Sequence, residues 1–393
     1  MVTKDMAGIL ATFRPPVDHP SGVRMTEPIE RPKTSTRDLA ATHDALEAWL
    51  RGKVGADATI TELQAPPTNG MSSETILFEA TWGGETTGLV GRIPPDPANK
   101  PVFPTYDIPG QFRTMSLVRE LTDVPVPEPL WFETDASLIG QPFFVMRRVE
   151  GVVPPDVMPY PFGGNWLYDA TPEQRAKVQR TSVDVIARLH AIPEPERHFD
   201  HLHEGIAGDT PLRRHFQKEL VDYYAWASQD TRSPLVEACM QWLLDHWPDD
   251  EGETVLSWGD ARIGNILYAD FEPAAVLDWE MASLGPREID VAWFQYLHLF
   301  FQDLAAGYGM DGLPDFLRRA EVLDQYEAAT GHRCRDMDWY GMLAATRHGV
   351  VSLRTGIRGV QFGQAPMPDD VDDLIMHRTT LERMLEGTYW GDK

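Results

Sequence analysis

The sequence predicts an α+β chain of two lobes, a small antiparallel sheet followed by a larger, mostly helical part. Three observations lead there. Short β-prone runs divided by turn residues crowd residues 59–149. Apolar residues at helical spacing dominate beyond Gly151. One β insertion, residues 255–277, interrupts those helices. With 12 Trp, 16 Phe and 11 Tyr, the 393 residues can bury a sizeable core and exclude a disordered chain.

Residues 1–35 hold Pro15, Pro16, Pro20, Pro28 and Pro32 among scattered charges and read as an N-terminal arm. From Thr36 the period turns helical: Leu39, Leu46, Trp49 and Leu50 share a face, and Gly52 is placed as the C-terminal cap. Strands are expected over 59–63, 75–80 and 86–93, with turns at 65–74 and at Gly83 and Gly84. A helix over 108–121 is broken by Pro125 and Pro127, and strands over 130–133 and 142–149 complete the sheet lobe. Gly151 is the expected hinge, which bounds the lobes at 36–148 and 149–393. Thr171, Pro172 and Gln174 then spell a helix start, and Val178, Val185, Ile186 and Leu189 its apolar stripe. Ile289, Trp293, Leu297 and Phe300 make another stripe; Val371, Leu374, Ile375, Leu381 and Leu385 make a last one.

The chain carries 60 Asp+Glu against 35 Lys+Arg, a formal net charge of −25, so a polyanion meets repulsion and no nucleic-acid partner is expected. No apolar run is long enough to span a bilayer and no signal-like segment opens the chain, which gives no membrane partner and a cytoplasmic expectation. Cys239 and Cys334 read as reduced thiols.

The chemistry concentrates in the β insertion. A strand ends at Trp258, Gly259 turns the chain, and Asp260 stands at the tip. Gly264 permits a second turn before Asn265 enters the next strand; Pro273 and its neighbours make the hairpin, and the returning strand over 274–277 delivers Asp278. Two strand ends thus gather Asp260, Asn265 and Asp278 at one mouth. Phosphoryl transfer needs that inventory: a carboxylate to orient a hydroxyl and take its proton, and an amide oxygen with a second carboxylate to hold Mg²⁺. The five-residue step from Asp260 to Asn265 is the spacing of kinase catalytic loops.

Residues 258–265 and 276–285, with Asp290, resemble the aminoglycoside phosphotransferase family, most closely its actinobacterial branch. The resemblance runs from about Thr36 to the C-terminus; residues 140–146 are similar to the strand entering the interlobe hinge, and residues 187–190 to the helix end before the catalytic region. It implies a protein-kinase-like fold, ATP or GTP as donor with Mg²⁺, and transfer of the γ-phosphate to a small-molecule hydroxyl. It makes Asp260 the catalytic base and Asn265 and Asp278 the metal ligands. Arg92 becomes the phosphate-pairing cation, although a solvated strand-end arginine is the plain alternative. Residues 69–75, with Gly70, Ser72 and Ser73, become the loop over the phosphates, although an ordinary hairpin turn fits equally. Backbone groups around Arg147 and Val149 would meet the nucleotide base. The sequence departs from the family at three places: Trp258 stands where His is common, Arg92 where Lys is usual, and residues 111–115 offer no acid to pair with that cation, Glu120 being the nearest.

Two clusters read as decoys. His198, His201 and His203 lack a zinc spacing and are expected in a solvated loop. Asp369, Asp370, Asp372 and Asp373 read as helix-capping charges rather than a grip on a cationic substrate. Glu280 is placed either beside the metal or in solvent, and Asp290 as a brace of the catalytic loop. The leading function is therefore a Mg·nucleotide-dependent small-molecule O-kinase. The alternative is a nucleotide-binding module with little transfer, acting through a partner. A protein kinase is disfavoured because its His-Arg-Asp and Asp-Phe-Gly signatures are absent.

Overall fold

The computed structural model describes residues 37–65, 73–156, 158–229 and 231–390. The expected arm and the loop residues Gly70 and Ser72 lie outside them. The first helix of the described residues, α1 (Leu39–Val54), starts where the Asp38 side chain accepts the amides of Ala40 and Ala41. It runs through Gly52 and stops one turn later than the sequence suggested. Gly55, at φ 134°, is the residue that leaves the helix and donates to the Arg51 carbonyl. Leu39 is exposed, so the buried face is Thr42, Leu46, Trp49 and Leu50.

Five strands form one antiparallel sheet in the order β1-β2-β3-β5-β4: β1 (Thr59–Ile60), β2 (Glu74–Trp82), β3 (Glu85–Ile93), β4 (Pro129–Glu133) and β5 (Phe143–Arg147). The strand expected over 59–63 shrinks to two residues, with Gln64 rejoining the sheet by a bridge to Leu77. Alternation sorts the side chains. Leu89, Phe143 and Val145 pack with α1, whereas Val90, Phe144 and Met146 join Met115 and Val118 of α2 (Ile108–Leu121). After Gly151, Val152 pairs with Tyr268, and a Cβ on Gly151 would stand 3.0 Å from the Tyr268 carbonyl oxygen.

Beyond it the chain is mainly helical: α3 (Pro172–His190), α4 (Pro234–Asp245), α5 (Glu288–Gly307), α6 (Arg319–Thr330), α7 (Met337–Gln361) and α8 (Arg378–Leu385). The start of α3 is a reciprocal capping box between Thr171 and Gln174. The stripe over 371–385 is broken, because Val371–Leu374 is a 3₁₀ turn capped by Asp370. Arg378 pairs with Asp370 and Asp373, and Asp372 is buried against Ser233, so this acidic cluster is structural. The His198–His203 region is not a solvated loop. His201 hydrogen-bonds Thr114 at 3.0 Å and His203 the Leu284 carbonyl at 3.2 Å, tying the segment to α2 and the C-lobe.

Two small two-stranded sheets sit among the helices. β6 (Thr254–Ser257) pairs with β9 (Ser283–Pro286), a strand the sequence reading lacked, and β7 (Ile266–Ala269) pairs with β8 (Glu272–Val276). The β7–β8 turn is made by Asp270 and Phe271, at φ 51° and 64°, and not by Pro273. Pro273 lies within β8, which has no second partner to require its amide. No helix of the described residues is long and apolar enough to cross a membrane.

Candidate active site

Gly259 and Asp290 shape the loop that carries Asp260. Gly259 has φ +90°, and a Cβ there would fall 1.9 Å from the Met281 carbonyl oxygen, so the site accepts only glycine. Asp290, on the first turn of α5 and fully buried, accepts from Ser257 Oγ at 2.7 Å and from the amides of Trp258 at 2.7 Å and Gly259 at 2.9 Å. His190 Nε2 stands 3.1 Å from the same carboxylate, its other ring nitrogen facing Tyr326 Oη. Burial pushes the Asp290 carboxyl up, but His190 and the loop donors outweigh it and hold the group below its ordinary value. The expected brace is therefore built from four contacts. Trp258 is buried, and its indole nitrogen donates to the Leu277 carbonyl at 2.9 Å, tying the loop to the residue before Asp278.

Asp260, Asn265 and Asp278 come together as their spacing suggested. Asn265 Nδ2 donates to Asp260 Oδ2 at 2.6 Å and to the Asp260 carbonyl at 3.1 Å, and the Leu277 amide donates to the Asn265 carbonyl at 2.8 Å. Asp278 sits at φ 59°, an uncommon conformation for a residue with a side chain and one met at functional sites. Burial pushes its carboxyl up from the ordinary value; Arg92 opposes the rise and the negative charge of Asp260 adds to it. Burial also pushes Asp260 up, but Arg262 and hydrogen bonds from Trp293, Arg262 and Asn265 prevail and hold it low.

Arg92 finds its acids at Asp278 and Glu280, not on α2. Its guanidinium lies 3.4 Å from Asp278 and 3.9 Å from Glu280, and Nη1 donates to Thr75 Oγ1 at 3.0 Å. Glu280 also accepts from Ser73 Oγ at 3.0 Å. Glu120 is exposed, and α2 instead presents the buried Gln111. Arg147 ends β5 with its side chain turned to Glu128, and its amide and that of Arg148 are engaged by the carbonyls of Glu128 and Gly88. Val149 is the residue of this stretch whose amide makes no backbone hydrogen bond among the described residues.

Three residues to which the sequence analysis gave no role complete the site. Trp293 Nε1 donates to Asp260 Oδ1 at 2.8 Å; Arg262 bridges Asp260, at 3.0 Å, to Asp156. Arg347, buried on α7, donates to the Gly259 carbonyl at 2.9 Å, pairs with Glu219 at 2.8 Å and lies 4.7 Å from the Trp293 ring centre. Burial pushes the Glu219 carboxyl up, yet Arg347 brings it down to about 2. The signal for Trp293 was its place three residues after Asp290 on the same helix face.

A cavity of about 440 Å³ opens at Trp279, Glu280 and Met281, the residues that follow Asp278. Tyr106 and Gln111 wall it on one side, Tyr223 and Trp226 on another. Gln111 is 5% exposed and its amide nitrogen has no partner among the described residues. A shallower hollow of about 620 Å³, around residues 190–197, contains none of Asp260, Asn265 or Asp278.

Residues 65–338 match the model of the phosphotransferase enzyme family. Among curated proteins, the chain is 28% identical over 274 residues to acyl-CoA dehydrogenase family member 10 of Mus musculus, which covers 69% of this chain and 23% of the relative. It is 27% identical over 262 residues to acyl-CoA dehydrogenase family member 11 of Homo sapiens, covering 65% and 31%. The chain thus spans about a third or less of the length of these relatives. Among solved structures, a Ralstonia eutropha protein described as an aminoglycoside phosphotransferase aligns at TM-score 0.61 and 24% identity over 88% of this chain and 97% of that one. A variant of aminoglycoside phosphotransferase APH(4)-Ia, in complex with ADP and hygromycin B, aligns at 0.52 and 18% over 87% and 98%. Macrolide 2′-phosphotransferase MphH from Brachybacterium faecium aligns at 0.52 and 16% over 85% and 98%. These likenesses show a shared two-lobed, kinase-like fold. By its sequence match over residues 65–338, the chain belongs to the phosphotransferase enzyme family.

Proposed function

We propose that the protein transfers the γ-phosphate of ATP or GTP to a hydroxyl of a small molecule. The observation that carries this is the convergence of Asp260, Asn265 and Asp278 at one mouth, with Arg92 across from them. In this reading Asp260 accepts the acceptor's proton as its oxygen bonds to the γ-phosphorus, and the bond to the β-phosphate oxygen breaks to release the nucleoside diphosphate. Trp293, Arg262 and Asn265 keep the carboxylate ionised and aimed. Arg92 would pair with donor phosphates in place of its present carboxylate partners.

The donor set suits Mg²⁺. Asn265 has its amide nitrogen on Asp260, which leaves the oxygen for a cation, and Asp278 brings a carboxylate whose charge burial disfavours until a cation arrives. When bound, the metal neutralises phosphate charge. That the structural neighbour APH(4)-Ia binds ADP supports a nucleotide donor. The acceptor is assigned to the cavity beside Glu280, where the unpartnered Gln111 amide would meet an acceptor oxygen. Glu280 supplies Arg92 with the acid that α2 lacks, which supports catalysis over a binding-only role.

The test is Mg²⁺-dependent release of ADP or GDP across aminoglycosides, amino alcohols, sugars and hydroxyacyl thioesters, run beside Asp260→Asn. An acceptor-dependent signal lost in the variant supports the kinase. Acceptor-dependent turnover that survives in Asp260→Asn overturns the role given to Asp260.

A further inference from the structure

In a chain of formal net charge −25, two buried arginines have no acidic partner among the described residues. Arg354 and Arg358 stand one turn apart on α7, 3% and 8% exposed, so two like charges face each other where water is scarce. Arg354 grips the Pro101 carbonyl through Nε at 3.1 Å and Nη2 at 2.8 Å, and Arg358 reaches the Asn99 carbonyl at 3.2 Å. Those carbonyls hold the side chains in place but carry no countercharge. Three donors remain buried without an acceptor: Arg354 Nη1, Arg358 Nε and Asn99 Nδ2. Lys100 adds a third cation, its Nζ 5.1 Å from the Phe362 ring centre that Arg358 also faces at 5.6 Å. Burial, with Arg358 repelling, holds the Arg354 guanidinium below its ordinary value.

We propose that Arg354, Arg358 and Asn99, with Lys100, form an oxyanion subsite that takes a phosphate-type group carried by the acceptor. Two residues of the cavity wall touch this cluster or the chain next to it, although none of its members lines the cavity. Trp226 is part of its wall and lies under the Arg354 guanidinium at 4.5 Å. Tyr223, from the same wall, donates to the Val102 carbonyl at 3.0 Å, next to the residues that Arg354 and Arg358 hold. Phosphate matches this donor set, since a guanidinium offers several N–H groups to its oxygens and a charged ligand repays buried cations better than a neutral one. This assignment rests on the cavity being the acceptor site, and it is tested first without turnover.

Inorganic pyrophosphate is titrated calorimetrically into the full chain and into Arg354→Gln, Arg358→Gln and Arg92→Gln, with melting curves for each. Affinity is expected to fall about tenfold or more in each of the first two variants and to leave a site intact in the third. Arg354→Lys, which keeps the charge, serves if the glutamine variants do not fold, and is expected to retain most of the binding. Binding unchanged in the Arg354 and Arg358 variants, or lost only in Arg92→Gln, overturns the subsite. Turnover then assigns its source, by comparing a hydroxyacyl thioester of coenzyme A with that of N-acetylcysteamine. A preference of about tenfold or more in kcat/KM for the phosphate-bearing acceptor, collapsing in Arg358→Gln through KM, is expected. If pyrophosphate binds at these arginines but does not compete with that acceptor, the acceptor assignment falls and a free anion remains.

Discussion

The indole nitrogen of Trp293 donates to Asp260 Oδ1 at 2.8 Å, so the aromatic on α5 aims the carboxylate that the proposed chemistry needs. The same helix carries Asp290, which fixes the backbone of residues 258 and 259 just before it. One rigid element therefore sets both the loop and the side chain at its tip. Trp293→Phe keeps an aromatic side chain and removes the donor along with the five-membered ring. Losing a hydrogen bond to a charged group costs about 1.5–3 kcal/mol, so kcat is expected to fall by roughly ten- to a hundredfold. Removing a donor also raises the Asp260 pKa, so the acid limb of the pH–rate profile is expected to move to higher pH. A profile that falls in height without shifting would deny this role to the indole.

Asp290 makes a second prediction, with a definite sign. Its folded pKa is depressed, so the stability it contributes is fully present above its unfolded value, about 3.9, and is lost as pH falls through the folded one. Asp290→Asn is expected to destabilise the fold by about 3 kcal/mol or more at neutral pH, since it leaves His190 and the loop amides poorly matched. The loss should shrink as acid titrates the native carboxylate. Denaturant melts of both proteins from pH 7 down to 3 check it; parallel curves would count against the linkage.

The meeting of Asp260, Asn265 and Asp278 was legible because it is local: glycine turns and two strand ends lie within about twenty residues of sequence. Trp293 was visible only as part of an apolar stripe, because an indole serves a core and a hydrogen bond alike. Arg347 was invisible, since α7 meets the Gly259 carbonyl from 88 residues away. The partner of Arg92 was sought on α2, where the family resemblance pointed, while the chain places that acid two residues after Asp278. The missed strand β9 is four residues long and runs straight into α5, so its β character is masked by the helical pattern after it. The late cap of α1 has a similar cause: two glycines three residues apart both suit a helix end, and only tertiary packing selects Gly55.

Gly259 offers a backbone test. Alanine there combines a strained φ of +90° with a Cβ 1.9 Å from the Met281 carbonyl, and that carbonyl belongs to the cavity wall. Gly259→Ala is expected to cost about 2 kcal/mol or more in stability and to abolish turnover. Gly83→Ala, at φ 58° with open space around it, carries the backbone strain alone and should lose about 1 kcal/mol with activity kept. Thermal melts and initial rates of the two variants separate steric collision from conformational strain.

The pairing of Arg92 with Glu280 sets the last prediction. If Glu280 replaces the acid absent from α2, Glu280→Gln should free Arg92 to follow Asp278 alone, which misplaces it for donor phosphates. A half-buried ion pair that is also anchored by Ser73 is worth more than a surface pair, so a rise of about tenfold in nucleotide KM is expected. Glu120→Gln removes an exposed carboxylate from α2 and should leave KM unchanged within about twofold. Arg92→Met should raise KM at least as much as Glu280→Gln, and the double variant should add little beyond it, because the two side chains act as one unit. Additive losses in that cycle would show that Glu280 acts independently of Arg92, through the cavity wall rather than through the guanidinium.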